Sequence, residues 1–156
     1  MRTMERSAIL RVLVLSAMYA TIVYVFQPIS FAMIQIRIAN ALIGLVPILG
    51  MVGVYGITLG VLLANFVSPL GFLDWLSFIP TFLGLLIVYK MRNINVPLGL
   101  LFYSLILGAW VSFILWLSFG VNYFISFIYV TVGIIVSTVG LGYLVYRALR
   151  KVKRLF

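Results

Sequence analysis

The chain of 156 residues is 65% hydrophobic and 8% charged, with 11 Lys and Arg against 2 Asp and Glu and a formal net charge of +9. Soluble globular domains carry about 25% charged residues, so this composition excludes one and points to an all-α integral membrane protein. With no His and no Cys, the chain has no zinc ligands of the usual kind, no thiol nucleophile and no general base near neutral pH.

Taken in chain order, the first apolar run, 8–26, follows Arg2 and Arg6. It is long enough to span and no A-x-A-like cleavage site follows it, so it is expected to be a first helix rather than a signal peptide. Within it Ser16 and Ala20, with Ala17 and Thr21 alongside, form a small-residue strip suited to close helix approach. The next run, from Ile38 to Phe66, carries Pro47 and Gly50 near its middle. A helix kinks or stops at such a pair, which predicts two short helices, 38–49 and 51–66, the second with its own Gly56-x-x-x-Gly60 strip. Further helices are predicted at 72–90, 98–118 and 122–146.

Charge placement supports this even count. Arg2, Arg6 and Arg11, the pair Lys90 and Arg92, and the tail from Arg147 to Arg154 all fall on one side if there are six spans. By the positive-inside rule that side is cytoplasmic, so a six-transmembrane-helix bundle with both termini cytoplasmic is expected. The basic residues flank the apolar runs, which argues against a nucleic-acid surface. Six helices of about 20 residues use roughly 120 positions, so residues 1–156 form a single transmembrane domain. No internal repeat is evident, which argues against the inverted-repeat transporters.

Nearly every polar side chain of the apolar body collects at the opposite ends of these helices: Gln27, Gln35, Arg37, Asn40, Asn65, Ser68, Asp74 and Asn122. An ionisable group at membrane depth costs on the order of 3 kcal/mol, so Arg37 and Asp74 are expected to face protein or a water-filled cavity. They either neutralise each other or organise a small-molecule pocket, and a mixed role satisfies both. The only other carboxylate, Glu5, lies in the N-terminal tail, so no carboxylate pair for acid–base or two-metal chemistry is available, and no phosphate-binding loop motif occurs. Neither an enzyme nor a bound cofactor or metal is expected, and any ATP-driven transport requires a separate ATPase. Trp75 beside Asp74 suits either stacking on a planar heterocycle or anchoring at the membrane boundary.

The block S-F-A-M-I-Q-I-R-I-A-N-A-L at 30–42, followed by N-F-V-S-P-L-G-F-L-D-W at 65–75, resembles the queuosine-precursor transporter family, QueT. The likeness covers the first four helices, whereas the last two match in hydropathy. It implies a substrate-binding S component of an energy-coupling factor (ECF) importer in the plasma membrane, taking up a 7-deazaguanine. Its implied partners are a membrane-embedded T subunit, docked against the strip of Ser16, Ala17 and Ala20, and two cytoplasmic ATPases.

The ligand residues expected on this reading are Gln35, Arg37, Asn40, Asn65, Asp74, Trp75 and Tyr123. Asp74 would pair with the amidine edge of the base, Gln35 with Asn65 or Asn40 would bond its carbonyl and pyrrole N–H, and Trp75 or Tyr123 would stack on the ring. Arg37 would hold the loop or face the carbonyl. The family pattern has Ser-Glu after the Gln-x-Arg, where this chain has Ala39 and Asn40. Loss of that carboxylate favours the neutral 7-cyano base over the cationic 7-aminomethyl base. An S component for another vitamin or heterocycle, and a ligand-free membrane scaffold, are the alternatives.

Overall fold

Gly50 divides the second apolar run where the Pro47 and Gly50 pair predicts. Its φ of +65° is a left-handed conformation that a side chain resists, and the chain reverses there between two short apolar helices. In the computed structural model, which describes residues 2–30 and 36–153, every regular element is helical. We label the principal segments α1 (Arg2–Val25), α2 (Ile38–Leu49), α3 (Met51–Val67), α4 (Phe72–Met91), α5 (Val96–Phe119) and α6 (Tyr123–Lys151). By length and composition α4, α5, α6 and the Arg6–Val25 part of α1 can cross a membrane, while α2 and α3 are shorter apolar helices.

The internal geometry of two segments is irregular. α2 opens as a 3₁₀-helix, Ile38–Leu45, and only its last turn, Val46–Leu49, is α-helical. α6 is α-helical over Tyr123–Ile135, passes through a π-helical stretch, Val136–Gly142, and returns to α-helix over Tyr143–Lys153. These two irregular stretches pack against each other. π-bulges occur frequently at functional sites.

The order of the bundle follows from its contacts. α1 packs on α3, α3 also on α4, and α5 lies between α4 and α6. Tyr24 and Gln27, at the end of α1, donate to the carbonyls of Leu63 and Val67, at the end of α3. The end of α3 is tied in turn to the start of α4 by Asn65. One end of the bundle therefore gathers Arg37, Asn65 and Asp74, and is called the polar end. The other gathers the α4–α5 turn with Arg92 and the last turns of α6 with Arg150, and is called the basic end.

Leu15, Tyr19 and Val23 recur at a spacing of four on α1 and are buried, whereas Leu10, Leu13, Val14 and Met18 are exposed. That pattern leaves one apolar face of α1 for lipid and turns the other toward α3. A methyl group added at Gly60 would stand 2.7 Å from Tyr19 Cβ and 3.1 Å from the Ser16 carbonyl oxygen. Here only glycine permits the backbones to approach this closely. Ser16 and Ala20 are 2% and 6% exposed, buried inside the chain's own bundle. They belong to the α1–α3 contact, and of the strip only Ala17, with Thr21, lies on the exposed face.

Candidate functional site

Arg37 precedes the first turn of α2 in an extended conformation, φ −82° and ψ 100°. Its Nη2 donates to Asp74 Oδ2 at 3.4 Å, with side chains only 8% and 0% exposed. Charge-assisted N–H···O bonds usually measure about 2.7–2.9 Å, so the pair is stretched. Asp74 is nevertheless well held. The Ser77 hydroxyl donates to its Oδ1 at 2.8 Å, Trp110 Nε1 donates to Ser77 Oγ at 2.9 Å, and Asn65 Nδ2 donates to the Asp74 backbone carbonyl at 2.7 Å.

This arrangement is local in origin. The Asp74 N–H donates to the Gly71 carbonyl, and the Ser77 N–H to the Asp74 carbonyl. That turn at the head of α4 sets a carboxylate and a hydroxyl three residues apart facing each other. α5 then contributes Trp110 from across the helix interface, so the carboxylate is braced from two helices.

Asn40 stands on the same side of the bundle. Its Oδ1 accepts from the Tyr19 hydroxyl of α1 at 2.7 Å, and its Nδ2 reaches Ser137 Oγ in the π-helical stretch at 3.5 Å, a weak contact. Arg37, Asn40, Ser77, Thr81 and Tyr103 line an internal cavity of about 10 Å³, closed by Val61, Leu107, Val111 and Ile134. That is room for about one water molecule. Thr81 lies in the cavity wall beside Tyr103, and Asn65 Oδ1, at an outer groove, is buried with no hydrogen-bond partner.

Outside this core, a surface groove of about 340 Å³ is lined by Asn65, Phe66, Ser68, Gly71, Phe72 and Trp75. Trp75 meets Phe66 edge-on at 5.0 Å and Phe72 at 6.1 Å, and its buried Nε1 has no hydrogen-bond partner. Tyr123 begins α6, stacks on Phe127 at 6.2 Å and meets Phe124 edge-on, ring contacts that all lie within its own helix. Among the expected residues, the structure thus brings Arg37, Asn40, Asn65 and Asp74 into one neighbourhood and sets Trp75 at an adjoining groove. Gln35 lies outside the described residues. Among the described residues no cluster of carboxylates suited to a metal occurs.

Several residues of this neighbourhood escaped the sequence reading: Tyr19, Ser77, Thr81, Tyr103 and the supporting Trp110. Ser77 and Thr81 are four apart on α4, and Tyr103, Leu107 and Val111 recur at the same spacing on α5. A helical-face analysis of α4 and α5 would have placed each set on one side of its helix.

No curated protein and no solved structure matches this chain. The family model described as QueT transporter matches residues 9–151, a span that includes every residue of the neighbourhood. The chain belongs to the QueT transporter family, a family of membrane transporters.

Proposed function

We propose that this protein is the substrate-binding S component of an ECF-type importer, and that its substrate is a 7-deazaguanine precursor of queuosine or archaeosine. In this reading all six helices cross the plasma membrane, both termini are cytoplasmic, and the polar end faces out. Energy comes from a T subunit and two ATPases, because the chain carries no nucleotide-binding motif of its own.

The observation that carries the proposal is Asp74. It is the sole carboxylate of the apolar body, fully buried, and its Oδ1 accepts from Ser77, whose side chain lines the internal cavity together with Arg37 and Thr81. A carboxylate accepts two parallel hydrogen bonds, which matches the ring N–H and exocyclic amine of a guanine-like edge. Asp74 Oδ2 is held by the stretched bond to Arg37, so a ligand N–H competes there on favourable terms. Ser77 and Trp110 keep Oδ1 oriented. Arg37, at the cavity wall, turns toward the base carbonyl, and Trp75 offers a ring face at the groove.

Small-molecule pockets measure roughly 300–1,000 Å³, and the internal cavity holds about one water. Binding therefore parts α2 from α4 at the Arg37–Asp74 contact and joins the cavity to the outer groove. Asn40, with its Oδ1 committed to Tyr19, positions α2 against α1 and α6 and leaves the charge recognition to Asp74. A single anion favours the neutral 7-cyano base.

The test is uptake. Cells lacking their own route for the base, and supplied with this chain, a T subunit and the ATPases, accumulate labelled 7-cyano-7-deazaguanine only when all are present and Asp74 is intact. Accumulation without the ATPases would refute the ECF assignment, and uptake of another heterocycle in its place would refute the substrate.

A further inference from the structure

Another cavity lies at the basic end, far from Asp74. It is a groove of about 640 Å³ between the α4–α5 turn, the last turn of α2 and the final part of α6, and its walls include Arg92, Asn93, Ile94, Ile48, Tyr146 and Arg150. Arg92 is only partly exposed and its guanidinium lies 4.2 Å from the centre of the Tyr89 ring, while that of Arg150 lies 5.8 Å from Tyr146. Such stacking holds a guanidinium in place and leaves its N–H donors outward. No carboxylate lines the groove, and the ion pair seen among the described residues, Arg37–Asp74, is at the other end. Arg147 and Lys151 line an adjoining hollow and raise the local positive charge further.

Part of the groove wall is apolar. Ile94, 81% exposed, projects from the turn, and Ile48 and Ile94 share the walls with the arginines. Two fixed guanidinium groups select a phosphate with bidentate geometry, and apolar walls beside them select an anion that carries a hydrocarbon stem. A freely diffusing phosphate gains nothing from the isoleucines. We propose that this groove binds an anionic glycerophospholipid, with its phosphate between Arg92 and Arg150 and its first acyl carbons against Ile48 and Ile94. Basic pockets at the ends of membrane helices suit such headgroups. The site is independent of the substrate at the polar end.

Native mass spectrometry of the detergent-solubilised full chain, incubated with a palmitoyl-oleoyl phosphatidylglycerol or the matching phosphatidylcholine, tests this. One phosphatidylglycerol should be retained in preference to phosphatidylcholine. The double variant Arg92→Gln/Arg150→Gln should retain about tenfold less, and Arg150→Gln alone about threefold less. Arg150 is exposed, so the single variant probes the site without burdening the fold. Lys90→Gln, an exposed cation of the same turn outside the groove, should leave retention unchanged. Equal retention of the two lipids, an equal loss with Lys90→Gln, or undiminished retention in the double variant would overturn the proposal. So would displacement of phosphatidylglycerol by inorganic phosphate at equal concentration, which would make the groove a simple anion site.

Discussion

Arg37 and Asp74 join the start of α2 to the start of α4 through a buried contact of 3.4 Å. Removing one member of such a pair strands a charge, typically at about 3–5 kcal/mol, whereas removing both is often neutral. Arg37→Met and Asp74→Asn should each lower the melting temperature, followed through the intrinsic tryptophan fluorescence, and the double variant should recover most of the loss. Strictly additive losses would show that the two charges are not coupled.

Ser77 relays between Asp74 and Trp110. Ser77→Ala leaves both the carboxylate oxygen and the indole N–H without a partner, a loss of about 1–3 kcal/mol. Ser77→Thr retains the hydroxyl and should stay closer to the parent in melting temperature. Equal effects of the two substitutions would mean that the hydroxyl bond contributes nothing.

The α1–α3 contact permits a sharper steric prediction. At Gly60 a methyl group meets Tyr19 Cβ and the Ser16 carbonyl, while at Gly140, in the π-helical stretch of α6, it meets nothing within 4 Å. Gly60→Ala should destabilise by about 1–3 kcal/mol, as overpacking does, and Gly140→Ala should be close to neutral. Because Tyr19 also holds Asn40, Gly60→Ala should weaken ligand binding as well. Matching thermal shifts for the two alanines would contradict the packing described.

Ala17 lies on the exposed face of α1, and Ser16 faces α3. If a T subunit docks on α1, Ala17→Trp should prevent co-purification with that subunit and leave both melting temperature and ligand affinity unchanged. Ser16→Leu should lower the melting temperature instead. Co-purification that survives Ala17→Trp would place the docking face elsewhere.

The helical segments were legible because hydropathy reports burial in lipid or protein alike, and because Pro47 and Gly50 mark a break that no apolar helix conceals. That Arg37 and Asp74 face protein was legible because charges at membrane depth have few places to go, but whether they meet each other was not. The direction of the Ser16 and Ala20 strip was not, since a small residue fits an internal contact and an external one equally well. Nor was the role of Trp110, whose indole N–H finds its acceptor on another helix. Ser77 and Thr81 barely alter hydropathy, so their convergence depends on how α4 and α5 are rotated against each other. The π-helical stretch Val136–Gly142 follows from packing against α2 and has no composition signal of its own.

The most direct measurement is calorimetric titration of the detergent-purified protein with 7-cyano-7-deazaguanine, 7-aminomethyl-7-deazaguanine, queuine and guanine, repeated with Asp74→Asn after its fold is checked by thermal melting. A base of roughly a dozen heavy atoms, at about 1 kcal/mol per atom, can reach nanomolar affinity. Saturable submicromolar binding of one deazapurine, tightest for the 7-cyano base and lost in Asp74→Asn, is the expected result. Failure of all four bases to bind folded protein, or undiminished binding by Asp74→Asn, would contradict the assignment of Asp74 as the group that recognises the substrate.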